Sequence, residues 1–149
     1  MKNIRKIEKL KYLETLLING CTNIENMNEI EKRKNLKEIY LSRLDKKESK
    51  DFEFLNKNEQ LTIIDLYQNK SFVDDNFIFT KISVKKNLQE IFLSNCKKIS
   101  DSSLVFLSSH HTSLQSVYLN KLSNLSFYGL SLLFQNCKYL QKVAIEGFF

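Results

Sequence analysis

The chain has 149 residues, 42% of them hydrophobic, with 23 Lys+Arg against 17 Asp+Glu for a net charge of +6. That size and apolar content suit a folded chain with a substantial core, and no apolar run reaches the roughly 18 residues that argue for a membrane-spanning helix. Only Arg5, Arg33 and Arg43 are arginine, asparagine occurs 15 times and proline and tryptophan are absent; this bias, that of an AT-rich coding genome, reads as a solvated basic surface, since phosphate and base recognition favour guanidinium forks.

Residues 1–12 alternate charge with Ile4, Ile7 and Leu10. They are expected to form a short amphipathic capping helix; a secretory signal would need an uninterrupted apolar stretch. At Leu13 a nine-residue phrase begins, L-x-x-h-x-h-x-x-(C/N/h), where h is aliphatic. Its six copies are Leu13–Cys21, Leu36–Leu44, Leu61–Asn69, Leu88–Cys96, Leu114–Leu122 and Leu140–Phe148. Their first leucines are 23, 25, 27, 26 and 26 residues apart. A period in the twenties is the signature of a solenoid. Within each phrase the h residues alternate with outward ones, which predicts a short strand of period two.

Between the phrases the pattern turns helical, unevenly. The first unit is short by about one helical turn. The second is polar from Asp45 to Asp51 and apolar only at Phe52, Phe54 and Leu55. These two are expected to be the irregular units. The fourth is the most complete: strand Ile91–Phe92–Leu93, then Cys96, then a helix with Ile99, Leu104 and Leu107 on one face. Asp101 is expected to cap that helix by accepting backbone N–H bonds. In the third unit Phe72, Asp74 and Phe77 align with Ile99, Asp101 and Leu104. In the fifth, Leu125, Leu130 and Leu133 align with Ile99, Leu104 and Leu107, Phe127 takes the place of Asp101, and Ser126 is left to supply the cap. The sixth copy stops after its strand, leaving an apolar edge that ends in Phe148-Phe149. Such edges invite pairing, so a partner or second copy is expected to cover it, or the array to be a fragment of a longer one.

The phrase L-x-x-I-x-L-x-x-C at Leu88–Cys96, followed by Ile99-Ser100-Asp101-x-x-Leu104-x-x-Leu107, resembles the leucine-rich repeat family in its cysteine-containing subtype. Cys137-Lys138-Tyr139-Leu140 matches the C-x-x-L that opens a repeat of that subtype. The resemblance covers residues 10–149. It implies an α/β fold: a curved right-handed superhelix of about six repeats over 13–149, with a parallel sheet on the concave face and helices on the convex face. It implies that the cysteine or asparagine at the ninth position (Cys21, Asn69, Cys96) points inward and bonds the turns of neighbouring repeats. His111 stands three residues before Leu114, as Cys137 stands before Leu140, and reads as a structural substitute for it. Repeats of this subtype are familiar from F-box proteins, which select substrates for cullin-type ubiquitin ligases. The 12 residues ahead of Leu13 are too few for an F-box. The resemblance therefore points to a substrate-binding array without one, or to an assembly subunit of a larger, for instance mitochondrial, complex.

No reaction chemistry competes with that reading. There is no C-x-x-C, no glycine-rich phosphate loop and no nucleophile–base arrangement, so no enzymatic role, cofactor or metal is expected. Three scattered cysteines fit a reducing compartment such as the cytoplasm, nucleus or mitochondrial interior. The informative residues are those pointing outward from the strands. The middle one in each is Leu17, Tyr40, Asp65, Phe92, Tyr118 and Ala144. Two positions on stand Asn19, Ser42, Tyr67, Ser94, Asn120 and Glu146. Tyr40, Asp65, Tyr67, Phe92 and Tyr118 are the candidate partner-binding residues, because outward aromatics on a sheet resemble protein-binding hot spots. The plainer alternative is that the rings are simply good strand formers packed on one another. Rings with basic charge also suit single-stranded nucleic acid, but Glu38, Asp65 and Glu90 lie beside these rings and would repel phosphate.

Overall fold

The computed structural model describes residues 4–147. Six three-residue strands form one parallel sheet in chain order: β1 (Thr15–Leu17), β2 (Glu38–Tyr40), β3 (Ile63–Asp65), β4 (Glu90–Phe92), β5 (Ser116–Tyr118) and β6 (Lys142–Ala144). Registers are in phase across the whole sheet, so that Leu16, Ile39, Ile64, Ile91, Val117 and Val143 form one row. Its central four members are completely buried. The aliphatic residue after each of the first five strands (Ile18, Leu41, Leu66, Leu93, Leu119) is buried too. This is the leucine-rich repeat solenoid: a sheet on one side, helical segments on the other, and the repeated leucines between them. The residues expected to close the sixth phrase, Phe148 and Phe149, lie outside the described residues, as do residues 1–3 of the amino-terminal segment.

The helical layer is uneven. Before β1 lies a 3-10 helix, Arg5–Lys9, in which Ile7 is buried; of its flanking residues Ile4 is buried and Leu10 half-exposed. The first two repeats carry 3-10 helices, Met27–Lys32 and Ser49–Lys57, the second kinked at Phe52. These are the units whose sequences looked irregular. Large rings pack where the second repeat meets the third: Phe52 stacks on Phe72 at 4.5 Å and meets Phe77 edge-on at 5.7 Å. The third repeat has one turn, α1 (Asp75–Phe77), running into a π-helical segment, Ile78–Ile82. Only the fourth and fifth carry full α-helices, α2 (Asp101–His110) and α3 (Phe127–Asn136).

One cap assignment differs from the sequence expectation, and the alignment of one repeat shifts. Ser100, not Asp101, caps α2, its Oγ accepting from the Ser102 amide at 3.2 Å. Asp101 instead faces the next repeat, where its Oδ1 accepts from the Ser126 amide at 2.8 Å and its Oδ2 from the Ser126 hydroxyl. Asp75 does the same for Ser100, at 2.9 Å from its amide and 2.5 Å from its hydroxyl. In the third repeat Asp74 is the cap, accepting from the Phe77 amide at 2.8 Å. Asp74 therefore aligns with Ser100, and buried Val73 rather than Phe72 takes the place of Ile99. The loop before α1 is one residue longer than its counterpart before α2, which shifts the match. Ser126 caps α3 as its position suggested, accepting from the Tyr128 amide.

Each phrase turns at its eighth position, and all six of these residues have positive φ: Gly20, Arg43, Gln68, Asn95, Lys121 and Gly147, between 59° and 70°. Only two are glycine. The other four accept a left-handed conformation that costs an L-residue about 1–2 kcal/mol. The repeated turn imposes it, through bonds such as Gln68 N–H to Ser94 O at 3.0 Å and Asn95 N–H to Asn120 O at 2.8 Å.

Polar ladders tie the repeats together. At the ninth position Asn69 is fully buried; its amide donates to the Leu41 and Leu66 carbonyls, both at 2.9 Å, and accepts from Leu44 N–H at 2.6 Å. Cys96 Sγ donates to Leu66 O at 3.0 Å. A second ladder runs three residues before each phrase. Asn58 donates to Arg33 O at 2.9 Å, buried Lys85 reaches Leu55 O, His111 Nδ1 lies 3.1 Å from Lys85 O, and Cys137 Sγ points to His111 O at 3.7 Å. His111 and Cys137 thus fill equivalent slots, as their spacing suggested.

Candidate functional site: the concave sheet face

A period-two strand sends alternate residues to opposite faces. Burying the aliphatic row therefore turns three rows onto the open face. In register, the middle row reads Leu17, Tyr40, Asp65, Phe92, Tyr118, Ala144. The row before it reads Thr15, Glu38, Ile63, Glu90, Ser116, Lys142. Strands lie about 4.8 Å apart, so the six span roughly 24 Å.

The five residues singled out from the sequence all lie on this face, but they do not form one continuous stripe. Phe92 and Tyr118 stack face to face, ring centres 4.0 Å apart and 7° from parallel. Tyr67 joins them around a groove of about 350 Å³ whose walls also include Asp65, Ser94 and Asn120. Tyr40 stands one strand beyond, separated from Phe92 by Asp65 in the row, and its hydroxyl lies 3.4 Å from Glu38 Oε2. Two rings already attract cations: Lys142 Nζ lies 4.9 Å from the centre of Tyr118, and the Arg43 guanidinium 5.7 Å from that of Tyr67.

The electrostatics of the face oppose the net charge of the molecule. Glu38, Asp65 and Glu90 cluster at its centre, and none of them takes part in an ion pair among the described residues. Asp65 is half-buried, and that burial raises its carboxyl above the ordinary range, offset by the hydrogen bond it accepts from Tyr67 N–H at 2.7 Å. The Tyr40 hydroxyl is raised first by burial, then by the charge and hydrogen bond of Glu38 and by the charges of Glu90 and Asp65. At the groove wall Asn120 Oδ1 is enclosed with no hydrogen-bond donor.

The other chemically notable side chains are structural. Burial pushes the Cys96 thiol up to about 12 and the Cys137 thiol up to about 11, so neither supplies a thiolate near neutral pH. Burial pulls the His111 imidazole down to about 4 and the Lys85 ammonium down to about 8. Among the described residues no three His, Cys, Asp or Glu side chains gather as a metal site would require, and no helix is long and apolar enough to cross a membrane.

One surface feature escaped the sequence reading. Phe127, Tyr128 and Phe134 on α3, and Tyr139 after it, are largely exposed on the helical side. The sequence carried little signal for it: Tyr128 falls off the Leu130/Leu133 face, but Phe127 and Phe134 stand three before and four after Leu130, a spacing that reads as inward.

No family model and no curated protein matches the chain. Solved structures do. Rad7, in the yeast Rad7–Elc1 complex, superposes with a TM-score of 0.72 over 97% of this chain at 21% identity. An internalin (InlF) from Listeria monocytogenes str. 4b F2365 does so with a TM-score of 0.56, again over 97% of this chain, at 18% identity. The chain spans 38% of the first and 44% of the second. At such identities the likeness is one of fold, and that fold is the leucine-rich repeat solenoid.

Proposed function

We propose that the chain is a non-catalytic protein-interaction module that holds a partner protein on its concave sheet face through Tyr40, Asp65, Tyr67, Phe92 and Tyr118. The observation that carries this reading is the stacked Phe92–Tyr118 pair beside an open groove. Partly exposed rings on a rigid sheet offer apolar area with little entropy left to lose on binding. The rest of the molecule supports a scaffold role, because Cys96, Cys137, His111 and Lys85 are engaged in holding repeats together. Changing Tyr40, Phe92 and Tyr118 together to alanine is expected to abolish capture of the partner in an affinity pull-down while leaving the circular dichroism spectrum unchanged. Capture that survives the triple change removes the concave face from consideration.

A second reading is favoured by two observations: the cysteine-containing repeat motifs, and the likeness to Rad7, a protein whose structure was solved together with Elc1. In it the chain is a substrate-recognition component of a cullin-type ubiquitin ligase in a reducing compartment such as the cytoplasm, and a cullin adaptor co-purifies with it. An assembly subunit would instead co-migrate with a large complex on a native gel.

A further inference from the structure

The concave face carries a chemical preference as well as a shape. The molecule as a whole is basic, at +6, yet the centre of this face holds Glu38, Asp65 and Glu90, none of them ion-paired. Asp65 stands in the row between Tyr40 and Phe92, so a half-buried carboxylate without an ion pair is flanked by rings on both sides. The groove next to it adds the enclosed, unpartnered acceptor Asn120 Oδ1. Every one of these polar groups accepts hydrogen bonds or carries negative charge, and ring faces attract cations. The rings already do so with Lys142 and Arg43 at the flanks of the face. Its centre holds other rings, Tyr40 and Phe92, beside the carboxylates, and the groove wall also carries Lys121 together with Glu146.

We infer that the concave face recognises a linear segment of its partner through an arginine side chain laid against Phe92 and paired with Asp65. This rests on the proposed concave-face reading and specifies its ligand. Arginine fits better than lysine for two reasons. A planar guanidinium stacks on a ring while its edge donates several bonds, whereas an ammonium is a compact, strongly hydrated charge. Asp65, moreover, is a carboxylate, whose two oxygens take parallel N–H bonds from a guanidinium fork, a geometry an ammonium does not match. The positive remainder of the molecule repels basic polymers in general, so preference for a cation here is a property of this face alone.

The test is panning a phage-displayed random peptide library against three forms of the chain: wild type, the Asp65→Asn, Glu90→Gln variant, and the Tyr40→Ala, Phe92→Ala, Tyr118→Ala variant. Asparagine at 65 keeps the acceptor for Tyr67 N–H, so that variant retains its turn. Wild type is expected to enrich peptides sharing an arginine. An enriched peptide is expected to bind the carboxylate variant about tenfold to hundredfold more weakly and to lose detectable binding to the ring variant. Enrichment that depends on the rings but shows no arginine, or takes lysine equally well, overturns the arginine inference and leaves the concave-face reading standing. Enrichment indifferent to the rings, or no enrichment, overturns both.

Discussion

Asn69 shows how much of this fold hangs on single side chains. One buried amide satisfies two carbonyls and one N–H from two successive turns. Asn69→Ala leaves those groups with fewer partners in a dry interior and is expected to cost about 2–4 kcal/mol, read as a lower urea midpoint with an unchanged slope. His111 makes the stability pH-dependent. Burial holds its folded imidazole down to about 4 from an ordinary 6.5, so the unfolded chain takes up the proton first. Stability from this group is complete above pH 6.5, falls as pH drops toward 4, and levels off below that. Replacing His111 with cysteine, the residue of the equivalent slot at 137, is expected to flatten that part of a pH–stability profile. Asn69, Cys96 and His111 were legible in the sequence because position within a repeat identifies them. Lys85 occupies the same slot as His111, yet composition alone reads a lysine as surface. What buries it is a long stem that brings the ammonium to the Leu55 carbonyl, a contact no local pattern records.

Elements were legible where leucine spacing drives them and obscure where polar caps do. Six strands, their register and the full helices α2 and α3 follow from the apolar period. The caps do not, because Ser100-Asp101 offers two side chains able to cap one helix and the choice is settled by the neighbouring repeat. Asp101 is drawn outward by Ser126, leaving Ser100 to close its own helix. Gly129 belongs to this arrangement. A β-carbon there would meet Asp101 Oδ1 at 2.5 Å and its Cα at 3.2 Å. Glycine to alanine within a helix ordinarily gains about 1 kcal/mol; Gly129→Ala is expected to lose stability instead. Combined with Asp101→Ala, part of that loss should vanish, with a coupling of about 1 kcal/mol or more in a double-mutant cycle of urea unfolding. Strict additivity would mean that Asp101 and Gly129 do not share their space. The 3-10 helices of the first two repeats fall where the sequence lacks leucines in helical phase. In the second repeat Phe52, at the kink, packs on Phe72 and Phe77 of the third, while the first repeat's short helix buries Met27 and Ile30.

Across the whole molecule, two aromatic surfaces lie on opposite sides. The concave one holds Tyr40, Tyr67, Phe92 and Tyr118 among carboxylates; the convex one holds Phe127, Tyr128, Phe134 and Tyr139 on and after α3. The sequence placed the first group, because strand alternation fixes which residues face outward. It also placed Asp65 within that row; it did not show that Phe92 and Tyr118 pair or that a groove opens beside Tyr67, since these depend on rotamers and on the packing of neighbouring strands. The account assigns binding to the concave side. Hydroxyl-radical footprinting of the chain, free and in the complex recovered by affinity capture, compares the two surfaces in one measurement. Protection of Tyr40, Phe92 and Tyr118 with unchanged labelling of Phe127, Tyr128, Phe134 and Tyr139 is expected; protection of the α3 aromatics with the concave rings still labelled would contradict it.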